Sequence, residues 1–167
     1  IYRFLPHQPG RLQRGGQLQV LALRGAPSTD TRNWPLSLSD RFPVGKAFGA
    51  EWLDIDEVLS PKDDLRHRGF QAGAACFARG EGMWFGEGEL YFACTNGGPN
   101  RKGQVFRYVP SAYEGTPREA EAPGQLTLFI EPNDTELLKN CDNLTVAPWG
   151  DLILCEDHDH PNLVGVT

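Results

Sequence analysis

The sequence predicts an all-β fold: a β-propeller fragment of about two blades, with a loop and short-helix insertion near 24–71. Two observations carry this reading. Nineteen glycines and thirteen prolines among 167 residues fall between short apolar runs, the pattern of many strands joined by turns. The chain also repeats itself, because Glu81–Thr95 lies over Asn143–Asp157 at a constant offset of 62, with Gly88 over Gly150. In both copies a polar residue opens one short strand, glycine follows seven positions later, and an acidic-Leu pair begins the next strand.

Taken in order, the chain divides into strands at about 1–6 and 17–23, then about 75–85, 89–95, 104–110 and 125–131, then about 143–148, 151–156 and 162–167. Weaker echoes link Ile1–Pro6 with Val105–Pro110, and Gly16–Leu21 with Gly124–Phe129. Part of a blade, one whole blade and part of another result, a radial repetition that protects strand edges. A β-sandwich is the alternative all-β arrangement. The stretch Arg24–Gln71, with its acidic run Glu51–Glu57, is expected to be an insertion carrying one helix at about 61–68, started by Ser60 before Pro61. Starting at Ile1 without an initiator Met and stopping at Thr167 after an apolar run, the chain is expected to be a piece of a longer protein. Such a piece exposes blade edges and is expected to be poorly soluble or to associate.

Composition narrows the function classes. A net charge of -6 offers no basic footprint for nucleic acid. No run of about 18 apolar residues is present to cross a membrane as a helix. Cys76, Cys94, Cys141 and Cys155 fit no zinc spacing and are expected to be mostly buried strand residues. There is no Gly-x-Ser-x-Gly elbow, no Ser-His-Asp signature and no glycine-rich phosphate loop before a helix, which leaves metal-based chemistry as the stronger enzyme hypothesis.

Equivalent positions on successive inner strands of a propeller converge on a common channel. Glu81 and Asn143 share that phase, and both offer oxygen to a hard cation such as calcium, with Asp142 beside Asn143. Glu156 closes the apolar run Leu152–Cys155, where a carboxylate needs a partner to stay charged, and a metal or an ion pair would supply one. His158, Asp159 and His160 read as a solvated turn. Arg79 is placed either to pair with Glu81 or to grip an anionic substrate, and the turn Thr95–Gly98 either to cradle an anion with its amides or simply to turn. Arg3 and Arg107 recur at one strand phase and read as structural, while Trp84, Trp149, Phe92 and Phe106 read as core.

These residues resemble a known family. Phe77–Gly82, Leu90–Gly98, Gly103–Pro110, and above all Asp142–Asp157 with Asn162–Thr167, are similar to the PhoX alkaline phosphatases, in order and along most of the chain. The resemblance implies a six-bladed propeller, export by the twin-arginine route to the periplasm or beyond, and hydrolysis of small-molecule phosphate monoesters by a cluster of iron and calcium. It carries Glu81 and Glu156 over as metal ligands, with Asp142 and Asn143 beside them, and Arg79 as the cationic group of catalysis. The family's iron-binding cysteine falls in an earlier part of the chain, so none of the four cysteines takes that role and the piece alone is expected to be inactive. Two other readings remain open at this point. One is a calcium-dependent propeller enzyme of the lactonase type, and the other is a propeller that only binds partners.

Overall fold

Of the ten strands among the described residues, nine stand where the turn punctuation places them. The computed structural model describes residues 1–35, 40–133 and 136–167. Strands β1 (Tyr2–Pro6) and β2 (Gly16–Leu23) form a hairpin, and β4 (Gly80–Gly86), β5 (Glu89–Cys94), β6 (Gln104–Val109) and β7 (Gln125–Ile130) form a four-stranded meander. Strands β8 (Cys141–Val146), β9 (Leu152–Glu156) and β10 (Leu163–Val166) begin the next unit. All ladders are antiparallel.

The tenth strand, β3 (Ala47–Asp54), lies inside the stretch expected to be a loop with one helix. It pairs with β2 on one side and, through Ala47–Gly49, with β7 on the other. The hairpin and the meander therefore join in one seven-stranded sheet, in the order β1-β2-β3-β7-β6-β5-β4. The sheet curls, so that Leu21 and Leu23 of β2 enter the same core as Phe92, Phe106, Leu126 and Leu128 of the meander. Phe42, Phe48, Phe77, Phe92 and Phe106 meet there, with Phe92 stacked on Phe106 at 5.2 Å and Phe77 edge-on to both.

The opposite face of the meander packs on the next sheet. Alternation along β5 and β6 sends Ala93 and Val105 to this side, where they meet Cys141, Leu144, Leu152 and Leu154. Face-to-face stacking of this kind is the packing of successive propeller blades. Helix α1 (Leu65–Gln71) starts four residues later than expected. Ser60 and Asp63 both adopt positive φ, which interrupts a helix, and the Ser60 hydroxyl is spent accepting the amides of Asp64 and Leu65. Farther back, Glu131 accepts from Asn33 Nδ2 at 2.7 Å and Gln104 Nε2 at 2.8 Å, which pins the segment around Arg32 to the blade.

Two aromatic expectations are corrected. Phe92 and Phe106 are core, but Trp84 is half-exposed on edge strand β4 and Trp149 stands out at the β8–β9 turn, its indole donating to Asp151. Arg3 and Arg107 are both locked in ion pairs, Arg3 with Glu114 and Glu119, Arg107 with Glu89.

Candidate functional site

The inner edges of the two sheets, β4 and β8, run beside each other because β4 carries glycine where it meets β8. A Cβ at Gly82 would stand 2.4 Å from Asn143 Oδ1, 2.5 Å from Asn143 Cα and 2.8 Å from the Asp142 carbonyl oxygen. At Gly86 it would stand 2.7 Å from Cβ of Val146. Gly82→Ala is expected to destabilise the full-length protein by about 2 kcal/mol, because backbone stands in the way, and Gly86→Ala by about 1 kcal/mol, because a side chain has only to shift. Thermal denaturation of both variants checks the order, and equal stabilities would refute the close approach.

Each inner strand also carries a bulge near its start. The β4–β5 register shifts between Gly80 and Met83, which encloses Glu81, and the β8–β9 register shifts between Cys141 and Asn143, which encloses Asp142. Bulges re-aim side chains, and here they do so at matching ends of neighbouring inner strands. Gly82, the residue after Glu81, is the point at which β4 meets Asn143 and the Asp142 carbonyl. The Asp142 carboxylate receives a long contact from the Thr95 hydroxyl at 3.4 Å, and Asn143 Oδ1 accepts the Leu144 amide at 2.8 Å. Arg79, at positive φ, reaches Glu81 over 3.4 Å, and both side chains remain open to solvent. Asn140 fastens the base of β8 to the first sheet, its Nδ2 donating to the carbonyls of Thr95 and Arg101 at 3.0 Å each.

Glu156 is a different kind of group. Its side chain is 3 % exposed, and its two oxygens accept four hydrogen bonds: one from the Lys139 amide, two from Asn162 and one shared with His158 Nε2. Burial pushes its pKa up, but the donors from His158, Asn162 and Lys139 outweigh burial and hold it down at about 2. His158 is half-buried against this carboxylate, whereas Asp159 and His160 are exposed. The roles of His158, Asn162 and the Lys139 amide are not visible in the sequence, because spacing alone does not show which donors a strand-end carboxylate will collect.

The turn after β5 offers no free amide cradle at its glycines: Gly97 N donates to Cys94 O and Gly98 N to Arg32 O. Cys94 and Cys141 are buried thiols pushed up to about 12 by burial, which makes them poor thiolate donors. Among the described residues no three His, Cys, Asp or Glu side chains converge as a ready metal cage. Glu81, Asp142 and Asn143 carry oxygen donors of the type a hard cation takes, and the Gly82 approach sets Asn143 and the Asp142 carbonyl against β4. Glu156 would have to exchange one of its present donors to join them.

Beside Glu81 opens a pocket of about 780 Å³ between α1 and β4, lined also by Arg32, Arg66, His67, Phe70 and Met83.

A curled antiparallel sheet stacked face to face on the next, inner strand beside inner strand, defines a β-propeller-type protein. The chain belongs to the PhoX alkaline phosphatase family, whose model, "Alkaline phosphatase PhoX", matches residues 1–167. Among solved structures it is similar to Pseudomonas fluorescens PhoX in complex with vanadate, a transition state analogue, with TM-score 0.60 and 15% identity over 99% of this chain. The chain spans 37% of the length of that protein. No curated protein sequence matches it significantly.

Proposed function

We propose that the full-length protein is a metal-dependent phosphate monoester hydrolase of the PhoX type, and that this chain supplies part of its active site. The observation that supports the reading is the family match over the whole chain, together with bulges at Glu81 and at Asp142 on strands that approach each other where Gly82 meets Asn143. Calcium and iron are the metals the family resemblance implies. Glu81, Asp142 and Asn143 would hold a hard cation such as calcium, with Glu156 behind them. When bound, the metals neutralise phosphate oxygens and activate an oxygen nucleophile.

The chain's own side chains do the rest. Glu81 and Asp142 concentrate negative charge where the cation is needed. The Arg79 guanidinium, 57% exposed and held to Glu81 by one long contact, is free to turn towards the phosphoryl oxygens and stabilise charge as it develops. The substrate would be a small phosphate ester, met in the periplasm or outside the cell. With only part of the ligand set present, this chain alone would not turn over substrate.

Metal analysis of the full-length protein, together with hydrolysis of phenyl phosphate, tests the reading. Bound calcium with iron and measurable hydrolysis are expected. A metal-free protein that leaves the ester intact overturns it.

A further inference from the structure

The pocket beside Glu81 is lined by more basic than acidic side chains. Against an overall charge of -6, three of its described lining side chains are basic, Arg32, Arg66 and His67, and one is acidic, Glu81. The cations are held differently. Arg32 is fixed: its guanidinium makes a two-pronged pair with Asp30 at 2.8 Å on each side and stacks 4.3 Å over the Trp34 ring. Arg66 is 61% exposed, and among the described residues its hydrogen bonds go to Asp63, through a single nitrogen. His67, next to it on α1, is exposed and has no hydrogen-bond or ion-pair partner among the described residues.

The remaining wall is apolar. Tyr2, Phe70 and Met83 are each more than a third exposed, and all three face this one cavity. Large apolar groups left open in a shared concavity gain by covering a flat ring. A ring lying there would share the pocket with Glu81 and with the exposed donors of Arg66 and His67.

We propose that this pocket receives the alcohol part of the ester, and that it selects a leaving group combining an aromatic ring with a second anionic group. The inference rests on the phosphatase reading for the reaction, because Glu81 lies both in the proposed metal site and in the pocket wall. Arg66 and His67 attract the distal anion, and Tyr2, Phe70 and Met83 cover the ring. The phosphoryl group is left beside Glu81.

The test compares phenyl phosphate with 4-carboxyphenyl phosphate on the full-length protein, at low ionic strength where exposed charges are least screened. Wild type is expected to favour the carboxylated ester by about fivefold in kcat/KM, a ratio that falls to about one in Arg66→Gln and survives in Arg66→Lys. Calorimetric binding of the matching phosphonates, phenylphosphonate and 4-carboxyphenylphosphonate, reads the same preference without turnover. If neither ester is hydrolysed, the phosphatase reading fails, and the phosphonate affinities still decide the pocket. Equal affinities in wild type, or a preference unchanged by Arg66→Gln, overturn the inference.

Discussion

Glu81→Gln in the full-length protein is expected to lower kcat/KM for phenyl phosphate by about a thousandfold, close to 4 kcal/mol of transition-state stabilisation. A neutral amide keeps the shape of the side chain but removes the charge that a cation requires. The fold should not notice. Glu81 lies on an edge strand, is open to solvent, and among the described residues has one hydrogen-bond or ion-pair partner, Arg79 at 3.4 Å. Its melting temperature should therefore stay within about 2 °C of wild type, since the loss of an exposed pair is worth well under 1 kcal/mol. Reduced bound calcium alongside the lost activity would place the effect in metal binding. Full activity in the variant would remove Glu81 from the site.

Glu156→Gln should act in the opposite way, on stability first. An amide in that position turns a donor towards groups that are themselves donors, Lys139 N and Asn162, inside a side-chain environment closed to water. The expected cost is about 3 kcal/mol, seen as a lower urea midpoint for the full-length protein. pH supplies the sharper signature. The carboxylate titrates at about 2 in the folded protein against an ordinary 4.5, so its stabilisation is fully present above about pH 4.5 and is lost as pH falls towards 2. Across that window the stability of wild type should fall more steeply than that of Glu156→Gln. Parallel curves would show that the carboxylate is not held by its donors.

The architecture was legible wherever turns mark the strands. Glycine and proline punctuation locates the meander, and the 62-residue offset locates the inner strands, because both reflect backbone needs that few residue types meet. Strand β3 escaped for a specific reason. Phe48, Ala50 and Trp52 alternate as a half-buried strand should, but small residues at Ala47, Gly49 and Ala50, and acids at Glu51 and Asp54, make the segment read as a loop. Its partner, β7, lies far along the sequence, and no local signal reveals a distant pairing. In the site, the sequence singles out Glu81, Asp142, Asn143 and Glu156. It could not distinguish an open carboxylate from one already saturated, because that difference is made by donors on other segments. Nor could it gather Arg32, Arg66 and His67 around Glu81, since α1 reaches β4 only through the tertiary fold.

The pairing of β3 with β7 also has a bearing on how the molecule is made. Ala47 meets Thr127, eighty positions further on, so a growing chain carries β1, β2 and β3 with one ladder edge unfilled until almost the whole meander has followed. Closing a loop of that length is slow compared with forming the local hairpins. Throughout that interval the open edge can recruit a strand from a neighbouring chain. Synthesis speed and chaperone cover, rather than the stability of the finished sheet, would then limit the yield of folded protein.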